Sequence, residues 1–366
     1  MKVGILTLPL HDNYGGILQS AALYRVLQNM GHDPVILSKK LWRPSHMRWA
    51  GKILRSLPGH DIKKSRSMER ARARHYPFLD RFLPHRSAPL YSVDAMQSFV
   101  RRAGLDVVVV GSDQVWRPSY MGDADTASYF LGFPGSFRKV AYAASFGKSV
   151  WPQDERLPSV KRMLADFDDV SLREMSGVEL CKDVLGREDC QMAIDPTLLV
   201  PTSFFSEAMA GCPSSSSRVL NYVLDDSPDV QAVVGKVLEH SGKQDGLKKV
   251  SLDDGGATLN IPAWLRAFHG AETVVTDSFH GTIFSILFEK PFVCVGNAER
   301  GLDRFESLLG LLGLEDRLVT SADDAEVIKQ PIDFERVEQT LAHLRANSMK
   351  FLETALSPVE QIAKAS

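Results

Sequence analysis

The sequence is short of the features that would fix its chemistry at once. Four cysteines in 366 residues, Cys181, Cys190, Cys212 and Cys294, stand without a CxxC pair or metal-like histidine partners. That spacing argues against a zinc site or a disulfide framework and points to reduced structural thiols. GxxxxGK[ST] and GxGxxG are both missing, so no P-loop or dinucleotide fingerprint is present. An excess of one charge sign is missing too: 43 Lys and Arg face 45 Asp and Glu, a net charge of -2, which gives no overall signal for a polyanionic partner. The opening "MKVGILTLPL" is too short, and too quickly followed by polar residues, for a signal peptide or a membrane span. The expectation is a cytoplasmic protein. Beyond Ser214 to Ser217 there is no low-complexity tract, and no repeat shorter than a domain.

What is present reads as a soluble globular chain, 44% hydrophobic and 24% charged, too long for one core. "KVGILTL" is a strand, "PLHDNYGG" a turn, and "ILQSAALYRVLQNMGH" a helix closing on Gly31, followed by the strand "DPVILS". This βαβ opening predicts a parallel sheet with ligand-facing loops at the carboxyl ends of its strands. "LDVVVVGSDQVW", "KVAYAASFG" and "FDDVSLREMSG" are further strands that end in polar residues on a common rim. The rhythm repeats after "CPSSSS", through "RVLNYVL", "DVQAVVGKVLEHSG", a weak strand near "KKVSL", "IPAWLRAFHGA", "ETVVTD", the helix from Ser278 and "PFVCVG". The predicted class is α/β and GT-B-like: two Rossmann-like domains facing across a cleft, residues 1–175 and 176–330, with a C-terminal helix over 331–366 packing across them.

A basic helical insertion is expected at about 39–90. Between Lys39 and Arg86, Arg and Lys heavily outnumber Asp61, Glu69 and Asp80, and Trp42, Trp49, Tyr76, Phe78 and Phe82 are interleaved. Nothing in it resembles a nucleic-acid module. A solvated lid is one reading; a patch resting on anionic lipid, or approaching a lipid-linked substrate, is the other.

The site is expected where strands hand over to helices. In "VVTDSFHGTIFSILFEKPFV", Ser278 to Gly281 lie at a helix N-terminus whose unpaired N–H groups favour an anion. Asp277 or Ser278 can cap that helix. Capping does not need imidazole, so His280 stands out as a proton carrier or anion donor, with a structural histidine as the alternative. Gly281 suits close approach of a ligand or of neighbouring backbone. In "HDNYGGILQSAAL", Asn13, Tyr14, Gly15, Gly16 and Gln19 form the equivalent turn of the first domain, a candidate acceptor loop or simply a tight turn. "GSDQVW" puts Ser112, Asp113 and Gln114 at a strand end beside Trp116, either a sugar-stacking platform or a turn with a buried Trp. Arg173 after an apolar run suits a carboxylate or phosphate, or a surface salt bridge with Glu174 or Asp169. Arg300 and Arg304, four apart, are a second candidate anion grip, or solvated helix charges.

Together "NYGGILQSAAL", "VVGSDQVWRP", "YAASFG", "SLRE", "IDPTLL" and "VVTDSFHGTIFSILFEKPFV" resemble, in order and spacing, the polysaccharide pyruvyl transferase family over nearly the whole chain. The resemblance implies a GT-B-like fold. It also implies transfer of an enolpyruvyl unit from phosphoenolpyruvate to two hydroxyls of a hexose, giving a pyruvate ketal and phosphate. Arg173 matches the arginine that grips phosphoenolpyruvate, and His280 the acid/base histidine. With His280, Asp113 is the expected catalytic group. Ser278, Gly281, Arg300 and Arg304 are assigned to the donor. Asn13, Tyr14, Gly15, Gly16, Gln19, Ser112, Gln114 and Trp116 are assigned to the acceptor. Many members carry arginine where this chain has Ser278, so Arg300 or Arg304 is expected to replace it unless the donor differs. No metal or cofactor is implied beyond phosphoenolpyruvate as co-substrate. The expected acceptor is a lipid-linked or polymeric glycan of a surface polysaccharide, met at the inner face of the membrane. Two alternatives are a GT-B glycosyltransferase using a nucleotide sugar, with Asp253 or Asp254 at the ribose, and a sugar-binding protein without catalysis.

Overall fold

The structure, a computed structural model, describes residues 1–11, 13–40, 72–152, 154–225, 227–241, 247–250, 259–296 and 301–357. Most of the basic insertion (41–71), and with it the lipid-contact expectation, lies outside the described residues, as do Arg300, Asp253 and Asp254.

"VVVV" at 107–110 is fully buried, as a strand covered on both faces must be. Around it the first sheet forms from β1 (Lys2–Leu6), β2 (Asp33–Ile36), β3 (Val107–Asp113), β4 (Arg138–Ala144), β5 (Asp169–Leu172) and β6 (Gln191–Met192). They lie parallel in the order β2-β1-β3-β4-β5-β6. The sheet therefore runs past the boundary at 175 read from the sequence, because β6 is only two residues long and shows no alternation. The second sheet takes β7 (Ser217–Tyr222), β8 (Leu247–Lys249), β9 (Ala271–Thr276), β10 (Phe292–Val295) and β11 (Leu318–Val319), parallel in the order β11-β10-β9-β7-β8.

Four helices border the cleft or cross between the domains: α1 (Tyr14–Asn29), α2 (Phe279–Leu287), α3 (Asp303–Leu312) and α4 (Phe334–Ala355). The two sheets share apolar packing at the base of the cleft. Tyr14 of α1 stacks on Trp264 of the second domain at 5.4 Å, and its hydroxyl donates to the Leu259 carbonyl at 2.8 Å. Phe205 meets Phe284 edge-on at 4.9 Å. After the second sheet, α4 returns to the first domain. Ser348 Oγ accepts from Ile194 N (3.1 Å), Arg345 Nε donates to Leu198 O (2.6 Å), and Phe351 lies 6.2 Å from Tyr142. This is the crossing helix expected at the C-terminus. Among the described residues no helix is long and apolar enough to cross a membrane.

Candidate functional site

The carboxyl ends of β3, β4, β5 and β6 all open toward the second domain, so the polar residues that follow them converge. Asp113, at the end of β3, holds a left-handed backbone (φ 75), uncommon for a residue with a β-carbon. Its carboxylate accepts from Asn13 Nδ2 (3.1 Å) and from Gln114 N (2.8 Å). Asn13 also caps α1 by accepting from Gly16 N at 3.0 Å, so one side chain ties the helix start to the strand end. Gln19 lies beneath, its Oε1 accepting from Ser112 N (3.2 Å) and its Nε2 donating to Thr7 Oγ1 (3.0 Å).

The hub is Asp195, fully buried after β6. Its Oδ2 accepts from Arg173 Nη1 (2.8 Å) and Ser112 Oγ (3.2 Å), and its Oδ1 from Thr197 N and Oγ1 (3.0 and 2.7 Å). From across the cleft, His280 Nε2 stands 3.5 Å from Oδ2, close enough for an ion pair but poorly aligned for a hydrogen bond. Burial by itself would raise the Asp195 pKa. The charge of His280, then Arg173 and Thr197, win and hold it well below the carboxylate range. Arg173 keeps Nε and Nη2 without hydrogen-bond partners, Nη2 lying 3.7 Å from Asp113 Oδ1. It is thus an arginine with donors to spare inside a buried cluster.

His280 fits only because Gly15 faces it: a β-carbon at Gly15 would stand 2.1 Å from His280 Nδ1. A second bare contact closes the rim, where a β-carbon at Gly301 would lie 2.0 Å from the Gly147 carbonyl oxygen.

Arg304 of α3 joins from the second domain. Its Cζ lies 5.3 Å from the Phe279 ring centre, and Arg173 Cζ lies 4.5 Å from the same ring. Burial, then the charge of Arg173, push the Arg304 pKa down to about 10. Glu174 is buried beside them, with Oε1 accepting from Ser145 Oγ, Phe146 N and Gly147 N and Oε2 unpartnered. Burial raises its pKa against the pull of both arginines. Two guanidinium groups with unpartnered nitrogens over one ring can grip a small dianion, and an imidazole backed by a carboxylate can move a proton beside it.

Several expected residues land elsewhere. Trp116 is no sugar platform: it is fully buried, stacked on Phe130 at 4.9 Å, with Nε1 donating to Tyr129 O. Its backbone N–H donates to Ser145 O, which turns the ring into the core. Tyr14 is spent on the domain contact, and Gln19 orders Ser112 from within the core. Ser278 is the cap of α2, accepting from Gly281 N at 3.3 Å, whereas Asp277 accepts from Leu224 N and Asp225 N and fastens the chain after β7. Gly281 is required by close packing on Thr276. Gln114 lies against Gly147 with its Nε2 unpartnered, at the rim. Asp195, Glu174 and Phe279 are site residues that sequence reasoning missed, although Asp195 and Glu174 stand in the motifs "IDPTLL" and "SLRE". Among the described residues no group of three His, Cys, Asp or Glu side chains is placed to hold a metal.

The family model for polysaccharide pyruvyl transferase matches residues 13–299. No curated protein matches this chain. Among solved structures, the chain is similar to a UDP-GlcNAc 2-epimerase from Neisseria meningitidis bound to UDP-GlcNAc, with a TM-score of 0.51 and 9% identity over 97% of this chain and 99% of that one. A putative UDP-N-acetylglucosamine 2-epimerase from Listeria monocytogenes gives a TM-score of 0.51 and 10% identity over 94% and 90%. Arabidopsis thaliana UGT89C1 complexed with quercetin gives 0.45 and 13% over 95% and 94%. At these identities the two epimerase matches, with TM-scores of 0.51, are a likeness of fold alone.

Proposed function

Since this chain belongs to the polysaccharide pyruvyl transferase family, we propose that it moves an enolpyruvyl unit from phosphoenolpyruvate to a hexose of a lipid-linked or polymeric glycan, forming a pyruvate ketal during surface-polysaccharide assembly. The observation that carries this reading is the Arg173–Asp195–His280 cluster, with Arg304 sharing the Phe279 ring. Arg173 and Arg304 grip the phosphate and carboxylate of the donor. In this chain Arg304 supplies the contact that Ser278, engaged as a cap, does not.

The chemistry is a balanced addition and displacement. A proton goes to the methylene carbon of the enol, turning it into a methyl group, and a sugar hydroxyl adds to the adjacent carbon as it loses its own proton. Phosphate then leaves with the carbon–oxygen electron pair, and a neighbouring hydroxyl closes the ketal as its proton is released. The two hydroxyl protons supply the new methyl hydrogen and the proton taken up by phosphate. His280, held by Asp195, delivers and receives these protons; Asp113 receives the hydroxyl proton from the first-domain side. The arginines stabilise the leaving phosphate.

Calorimetric titration with phosphoenolpyruvate tests the reading, with Arg173→Ala and a panel of nucleotide sugars as controls. Saturable binding that the variant loses supports it. Silence with phosphoenolpyruvate and heat with a nucleotide sugar would refute it in favour of glycosyl transfer.

A further inference from the structure

The loop after β3 that buries Trp116 presents a second aromatic ring four residues later. Tyr120 is 46% exposed, whereas Trp116 is fully buried. An exposed tyrosine needs no explanation by itself, but this one is held in place. It ends a short turn, Pro118–Tyr120, in which Tyr120 N donates to Arg117 O at 3.0 Å. Arg156, on the chain after β4, grips both ends of that turn: its Nη1 donates to Pro118 O (3.3 Å) and to Met121 O (2.7 Å). The buried Arg117 lies on the ring, with Cζ 4.8 Å from the Tyr120 ring centre and Nε donating to Ser119 Oγ at 3.2 Å. The orientation of the ring is therefore set before any ligand arrives.

The same contacts tie the ring to the reacting groups. Arg117 Nη1 donates to Gln114 Oε1 (3.4 Å), and Gln114 N donates to Asp113 Oδ1 (2.8 Å). Gln114 packs on Gly147, where a β-carbon would stand 1.9 Å from its Nε2, at the rim that meets Gly301 of the second domain. Tyr120 thus stands two side chains away from Asp113. Its hydroxyl is also within electrostatic reach of Arg304 across the cleft. A sugar presents C–H groups on its faces and hydroxyls at its edges. A fixed aromatic face covers the first while polar neighbours meet the second.

We propose that Tyr120 is the platform on which the acceptor hexose stacks, with a C–H face of the sugar on the ring face opposite Arg117 and its hydroxyls turned toward Asp113. The sequence has the right kind of residue for this task in the right loop, but the ring that performs it is Tyr120 rather than Trp116. That the bound hexose is the acceptor of the reaction rests on the pyruvyltransferase reading; that the ring binds a hexose does not.

The test is saturation-transfer NMR titration of the full chain and of Tyr120→Ala, Tyr120→Phe and Tyr120→Trp with the methyl glycosides of glucose, galactose, mannose and N-acetylglucosamine. Phosphoenolpyruvate binding and thermal melting are measured beside it. At least one glycoside should bind saturably to the wild type, with the strongest transfer to the ring protons of one sugar face. Its affinity should fall about tenfold in Tyr120→Ala, the scale of one aromatic contact, and be kept in Tyr120→Phe and Tyr120→Trp. The melting temperature and the affinity for phosphoenolpyruvate should hold in all three variants. Absence of glycoside binding, equal affinity in wild type and Tyr120→Ala, or a loss in Tyr120→Phe as large as in Tyr120→Ala would overturn the platform. So would a parallel loss of glycoside, phosphoenolpyruvate and melting temperature, which is the mark of a structural ring. Failure of phosphoenolpyruvate alone to bind the wild type would remove the pyruvyltransferase reading and leave a Tyr120-dependent sugar site standing.

Discussion

Gly15 and His280 belong to different domains and meet so closely that a β-carbon on the glycine would stand 2.1 Å from the ring nitrogen Nδ1. The imidazole is thus positioned from one side by bare backbone and from the other by Asp195. Gly15→Ala must push the ring or the domain aside. A displacement of about 1 Å can cost roughly a hundredfold in rate. Turnover should fall by about that factor, more than phosphoenolpyruvate affinity, and the melting temperature should fall as well, because the added carbon would also stand 2.7 Å from His280 Cβ; steady-state kinetics, calorimetry and melting curves will read the three.

Asp195→Asn removes the carboxylate that holds Arg173, leaving a buried guanidinium without its strongest partner. Breaking such a pair costs about 3–5 kcal/mol, which urea unfolding at neutral pH should register. Because the folded-state pKa is depressed, the wild-type advantage is fully present above the ordinary value of 3.8 and is lost as pH falls below it toward the folded pKa. The two proteins should converge in stability on strong acidification.

Glu174 carries the opposite sign. Its folded pKa is raised, mainly by burial, so the folded state holds a proton more tightly than the unfolded chain and loses stability as pH climbs from the ordinary 4.5. Glu174→Gln keeps an oxygen for Ser145, Phe146 and Gly147 and never ionises. Its melting temperature should exceed that of wild type at neutral pH, with the gap closing below pH 4.5. A gap that widens in acid would show that Glu174 is stabilised as a carboxylate.

Arg304→Ala should weaken phosphoenolpyruvate roughly tenfold to a hundredfold, the range for loss of a hydrogen-bonded charge of about 1.5–3 kcal/mol. Arg304→Lys should restore only part of it, since an ammonium lacks the planar fork. Equal affinity in wild type and Arg304→Ala would leave the contact missing at Ser278 unreplaced from this helix.

Trp116→Ala should behave as a core deletion, losing about 3–5 kcal/mol in urea unfolding. At a temperature where the variant stays folded, its KM for acceptor should match that of wild type. A selective rise in KM would return the indole to the sugar.

The chain can be read as two parallel α/β domains because buried parallel strands are continuous apolar runs that end abruptly in polar residues, as "VVVVGSD" does. His280 is legible for the same reason: an imidazole at a strand-to-helix junction has no purely local use. What escapes depends on contacts distant in sequence. Asp195 follows a strand too short to show a period, and its role comes from Arg173 and His280, residues 22 and 85 positions away. Trp116 misleads because local composition does not say which way a turn aims its ring. The bond from its N–H to Ser145 O decides that.

At the rim, Gly301 comes from one domain and the Gly147 carbonyl from the other, with room for nothing between them. A side chain at Gly301 would act as a wedge. The reacting groups are also divided, Asp195 and Arg173 on one side and His280 and Arg304 on the other. Wedging the rim would therefore separate acid from carboxylate and one anion grip from the other in a single movement. The apolar core that runs through both domains and the C-terminal helix that returns to the first hold the two halves of the reaction centre in register.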